Sequence, residues 1–158
     1  MANTQAMTTS FMGELMTATH NFGTAPVRAS GATDTFKAAL YLTTATVNAS
    51  TTAYSATNEV SGSGYTAGGV AVSFGTPPTA TNASATAGVA FVTPSASITN
   101  TNVTLATAFD AVLIYNSTQS DKAVSVHTFG SQTVTAGTFT LTMPANTTST
   151  ALIRLATT

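Results

Sequence analysis

The most apolar β-prone run in the chain is Val112-Leu113-Ile114-Tyr115, and its lack of polar interruption predicts a central strand covered on both faces. About six polar residues follow, including Asn116, Ser117, Ser120 and Asp121, a composition that suits an antiparallel hairpin connection. Residues 123–128 then alternate: Val124 and Val126 fall on one face and Ser125 and His127 on the other, the period of a strand with one wet side. Residues 138–143 repeat the alternation with Phe139, Leu141 and Met143, so the pattern predicts a meander. Upstream, Phe36, Ala38, Leu40 and Leu42 share a face over 35–43, and Val70, Val72 and Phe74 mark a strand closed by Pro77-Pro78. After a Thr/Ala/Asn-rich turn, 89–92 form another strand stopped by Pro94, Ile98 with Val103 and Leu105 make one or two short ones, and 151–155 make a last.

One segment has a different period. Over residues 4–21, Met7, Phe11, Leu15 and Met16 recur at spacings of three and four, which predicts a helix capped by Asn3 or Thr4 and ending at Gly23. The expectation is therefore an all-β chain, a β-sandwich or jelly-roll-like domain of about eight strands with one N-terminal helix. Residues 1–23 would be a helix docked on the sheet or an arm reaching a neighbouring subunit, and residues 24–158 the sandwich domain. The stretch 44–67 is polar and long, the kind of loop that is functional or lies against a partner. Met7, Phe11 and Leu15 on the helical stripe, with Tyr54 and Tyr65 in the long loop, are the candidate protein-contact residues.

Composition sharpens this. Only 6% of the 158 residues are charged, against roughly 25% in ordinary soluble domains, while 36 Thr and 15 Ser supply polarity without ions. Neutral hydroxyls cost far less to desolvate than charges, so such an exterior suits a protein covered by other protein. A net charge of −1 gives little repulsion between copies, and homo-oligomers formed through open sheet edges are expected. Four scattered basic residues, Arg28, Lys37, Lys122 and Arg154, make no phosphate-binding stripe, which argues against nucleic acid. The chain has no cysteine, no stretch near the ~18 apolar residues of a membrane span, and no signal-peptide pattern at its start; synthesis in a cytoplasm is expected.

Catalytic chemistry finds little support. The glycines from Gly62 to Gly69 have no adjacent basic residue and precede a strand instead of a helix, so they read as turns around Tyr65 and not as a phosphate cradle. His20 and His127 fall on different elements with no acidic partner in local register, and read as surface or capping residues. Five carboxylates (Glu14, Asp34, Glu59, Asp110, Asp121) show no metal-ligand spacing, and no Gly-x-Ser-x-Gly is present. No enzyme activity, cofactor or metal is expected.

Several stretches carry a resemblance: Thr4-Gln5-Ala6-Met7 with Ser10-Phe11, Glu14-Leu15 and His20-Asn21-Phe22; Asp34-Thr35-Phe36-Lys37-Ala38-Ala39-Leu40-Tyr41; Asn58-Glu59-Val60-Ser61-Gly62-Ser63-Gly64-Tyr65-Thr66-Ala67-Gly68-Gly69; Ile114-Tyr115-Asn116-Ser117; and Leu152-Ile153-Arg154-Leu155. Together they resemble small virion-associated proteins of tailed bacteriophages, over nearly the whole chain. The resemblance implies a structural place in the particle and transfers no catalytic residues. The leading expectation is a capsid decoration or cement protein on the head surface, with the major capsid protein or other virion proteins as partners. A tail or fibre component is the alternative, and a host-glycan-binding domain the third.

Overall fold

The structure is a computed structural model and describes residues 3–8, 11, 14, 15, 19, 20, 22, 34–82 and 88–156. Among them are eight strands: β1 (Ala6–Met7), β2 (Phe36–Leu42), β3 (Val70–Val72), β4 (Thr79–Asn82), β5 (Gly88–Val92), β6 (Ile98–Asn116), β7 (Lys122–Leu141) and β8 (Ile153–Ala156). They form two wholly antiparallel sheets, ordered β1-β7-β6-β2-β3 and β4-β5-β8. The chain is all-β.

β6 is central, as its apolar run requires. Its residues 109–116 pair with β2 on one side and its whole length pairs with β7 on the other. Val112 and Ile114 enter one apolar cluster with Phe36, Phe74, Val92 and Ile153, which come from both sheets and the loop after β3. Leu113 and Tyr115 point the opposite way, into a second cluster with Ala39, Tyr41, Val47 and Val126. That second face is closed by residues 44–69. Their backbone is fixed to β2 by Leu42 N–H donating to Asn58 O and Val60 N–H donating to Leu40 O, and to the start of β7 by Ala123 N–H donating to Thr52 O. The five-stranded sheet thus lies between the smaller sheet and a long strap.

The expected meander is corrected to one long hairpin. β6 runs unbroken through the polar residues 99–104, and β7 joins the two alternating segments read as separate strands. Register shifts, with Asn102 and Ala136 at φ of 54° and 44°, absorb the interruptions without ending either strand. A bulge also changes the faces of β7. Ile114 pairs with Ser125 but Tyr115 pairs with Ala123, so Val124 is an extra residue. Val124 consequently joins the first cluster and Val126 the second, and the wet face expected at Ser125 is buried. Residues 79–82, turn-like in composition, are β4 instead.

The helix predicted from residue 4 is also corrected at its start. Ala6 and Met7 pair with Val126 and Ser125, and Thr8 N–H donates to Val124 O, because the start of β7 offers unpaired backbone groups that a strand satisfies and a helix cannot. Asn3 caps no helix: its Nδ2 donates to Leu42 O and Asp110 Oδ1, and its Oδ1 accepts from Val47 N–H. Phe11, Glu14 and Leu15 do have helical backbone; positions 9, 10, 12, 13, 16–18 and 21 of the predicted helix lie outside the described residues. Phe11 is fully buried, edge-on to His20 and Phe22 at ring-centroid distances of 4.9 and 5.8 Å. Phe11→Ala should therefore cost about 3–5 kcal/mol in urea unfolding, and a chain lacking residues 1–22 should fail to give the native cooperative transition.

Candidate functional site

Two polar clusters and two shallow clefts are where chemistry would have to reside. The first cluster centres on Glu59, which the strap brings back to β2 through a bridge to Tyr41. Tyr54 OH donates to Glu59 Oε2 at 2.6 Å, while Tyr65 OH and Gly68 N–H each donate to Oε1 at 2.8 Å. Tyr65 OH also accepts from Leu40 N–H at 3.0 Å, Tyr115 OH donates to Gly68 O at 2.8 Å, and Tyr54 stacks on Tyr115 at 4.7 Å. Tyr41 OH donates to Ser55 O at 2.6 Å. All four tyrosines of the chain thus fasten the strap to the sheet, three of them around one carboxylate and its glycine neighbour. The turn reading of the glycine run holds: Gly64, Gly68 and Gly69 have φ of 80°, 85° and 73°.

Burial pushes each phenol up. Tyr41 and Tyr115 rise from 10.0 to about 12, chiefly through burial, with nearby negative charge adding to it. Tyr54 and Tyr65 rise further, burial again first and then their bonds to Glu59, which a phenolate cannot make.

The second cluster lies where the N-terminal segment meets the hairpin turn. His20 Nε2 lies 2.7 Å from Glu14 Oε2, and Lys122 Nζ donates to Glu14 Oε1 at 2.6 Å. Asn116 Nδ2 directs its two hydrogens to His20 Nδ1 at 3.0 Å and Asp34 Oδ2 at 2.8 Å. Nδ1 of His20 is therefore the acceptor and Nε2 carries the proton given to Glu14. Gln119 Nε2 donates to Asp34 Oδ1 at 3.1 Å. Burial lowers the His20 pKa against the opposing pull of Glu14; at Glu14 burial acts upward and the bonds from Lys122 and His20 outweigh it, so its pKa is lowered. The surface reading of His20 is corrected, since its ring is enclosed by Phe11, Phe22 and Phe36 and has Glu14 as acidic partner. His127 is bonded to Ser125 Oγ at 2.9 Å and pushed down to about 4 by burial.

The candidate contact residues do not form one patch. Met7 is half-buried in β1, Phe11 is enclosed, and Leu15 packs against the same apolar cluster. Tyr54 and Tyr65 face Glu59. Sequence reading missed the Glu59 and His20 clusters; the one available signal was a lone acid, Glu59, between Tyr54 and Tyr65 in a chain poor in charge.

Chemically, the clusters are closed. His20 uses both ring nitrogens within the protein, and each tyrosine hydroxyl donates to a protein oxygen. Among the described residues no group of three His, Asp or Glu side chains is placed to hold a metal ion. One cleft of about 270 Å³ is lined by Tyr41, Thr46, Thr51, Ser55 and Asn58, and another of about 260 Å³ by Thr76, Thr93, Ser95, Ser97 and Asn146. No protein-family model matches the chain, and searches of curated proteins and of solved structures return no match either.

Two measurements test the Glu59 cluster. Tyr65→Phe removes a donor to a carboxylate and the acceptor for Leu40 N–H, and should cost about 1.5–3 kcal/mol in denaturant unfolding. The phenols are raised in the folded state, so their stabilising contribution is complete below 10.0, their unfolded value, and is lost as pH rises through 10.0 toward 12. The chain has no tryptophan, so near-ultraviolet absorbance reports these phenols directly. Tyrosinate should appear late and in one step with loss of β circular dichroism; independent titration near 10 would contradict the cluster.

Proposed function

We propose that this chain is a structural protein of a tailed-phage virion, and within that class a capsid decoration or cement protein that binds the head shell through the major capsid protein. The observation that supports it best is where the few charges go. Glu14 is held by Lys122 and His20, Asp34 by Asn116 and Gln119, Glu59 by Tyr54, Tyr65 and Gly68, and Asp110 by Asn3. Charge is thus used to hold the strap and N-terminal segment on the sheet. The exterior left over is mainly hydroxyl and amide, along residues 130–133, 145–150 and the strap, with Arg154 and Leu155 exposed on β8. Such a surface can be covered by protein with little desolvation cost, whereas an enzyme or a nucleic-acid binder would present ionisable groups to its ligand. A tail or fibre position is the alternative, separated by whether copy number follows the shell lattice.

Attachment through neutral contacts should be insensitive to ionic strength. Decorated particles sedimented from low salt to about 1 M NaCl, where the screening length falls to roughly 3 Å, should retain the protein almost unchanged, and sulfate should strengthen retention. Release at a few tenths molar would show that basic residues carry the contact and that the charge deficit has another cause.

A further inference from the structure

Each sheet edge among the described residues is blunted except one. β3 and β4 are short, and β4 follows Pro77-Pro78; β8 is short and carries Arg154. β6 would be open beyond its pairing with β2, but the strap covers it there. Ser63 bridges to Thr104, and Gly62 and Gly64 lie so close that a Cβ on either would fall 2.1 Å from Thr104 O and 2.3 Å from Asn102 O. Among the described residues β7 has no such cover past Phe129. β1 pairs only with Ser125 and Val126, and Thr8 with Val124, so the outer edge of residues 129–141 has no strand beside it among the described residues.

That edge is also free of the usual deterrents. Residues 129–143 contain no charge and no proline. The bulge at Ala136, whose N–H donates to Thr104 Oγ1, turns inward toward β6, and beyond it the ladder is regular: Phe139, Thr140 and Leu141 face Asn100, Thr99 and Ile98 in unbroken succession. Phe139 is buried, while Thr138, Thr140 and Thr142 are exposed. An isolated edge of this kind is a template for another strand, because its outward N–H and C=O groups alternate at the spacing a partner backbone supplies.

We propose that two copies of this chain pair through this edge, β7 against β7, antiparallel about a twofold axis near Thr140. A second copy fits better than a different protein for two reasons. A twofold axis sets each residue against its own or a neighbouring equivalent, which penalises any charge present, and here there is none. The edge likewise offers no charge by which a dissimilar partner would be selected. Pairing extends the five-stranded sheet across the dimer and sets threonine opposite threonine on the exposed face. It rests on the edge itself and is independent of the virion reading.

The chain has no cysteine, so single cysteines report the contact cleanly. Purified protein at micromolar concentration should sediment as a dimer, with those amides of residues 137–141 that point away from β6 protected from hydrogen exchange. Thr138→Cys, Thr140→Cys and Thr142→Cys, tested one at a time under mild oxidant, should include a position that forms a rapid disulfide dimer, since directly opposed antiparallel residues meet disulfide geometry. Ser149→Cys, exposed on the turn before β8 and outside the paired edge, should not. Thr140→Lys should weaken dimerisation by up to about fivefold through like-charge opposition. A monomer in which the outward amides among 137–141 are unprotected, or a dimer that cross-links at none of the three positions, overturns the pairing. If those amides become protected only on phage particles and cross-link to another protein, the pairing is wrong and the virion reading survives. A cross-linked dimer that does not bind particles supports the pairing and overturns the virion reading.

Discussion

The two-sided burial of β6 governs the rest of the structure. Val112, Leu113, Ile114 and Tyr115 are 2% exposed or less, and because strand side chains alternate, burying all four requires a cover on each face. One cover is the small sheet with the N-terminal segment around Phe11, Phe22 and Phe74. The other is not a sheet. It is an irregular strap, residues 44–69, and irregular backbone laid on an apolar face must find partners for its own polar groups. That need explains the bridges to Tyr41, Lys122 and Thr104 and the way Tyr54 and Tyr65 of the strap meet Tyr41 and Tyr115 of the sheet through bonds and ring contact around Glu59, Gly68 and Ser55.

Holding a strap by a buried carboxylate works because Glu59 receives two phenolic donors and a backbone N–H, so little of its lost hydration goes unreplaced. The same logic appears beside the turn that joins β6 to β7. There Glu14, Lys122, His20, Asn116 and Asp34 tie the N-terminal segment to the hairpin turn, and the His20 ring doubles as apolar surface between phenylalanines. In a chain with so few ions, these sites fix which segment lies where. Among the described residues the exterior is left largely to threonine and serine, and the outer edge of β7 past Phe129 is part of it.

Much of this was legible in the sequence. The apolar run at 112–115 determined a central strand buried on both faces, and the patterns at 35–43, 70–74, 89–92 and 151–155 located β2, β3, β5 and β8 to within about two residues, because side-chain period is a local property. The scarcity of charge was equally plain. The structure alone decided whatever depends on a partner strand. Residues 98–105 read as one or two short strands and 129–137 gave no strand signal, yet pairing across the hairpin joined the first to the central run as β6 and carried β7 through the second, by way of bulges at Asn102 and Ala136. One extra residue, Val124, reversed the faces of β7, and no local period reveals an insertion. Ala6 and Met7 carried a helical period but were drawn into a strand by unpaired groups on β7, more than a hundred residues away. Glu59 and His20 looked isolated because their partners, Tyr65, Tyr54, Asn116 and Asp34, converge on them only when the strap and the N-terminal segment close over the sheet.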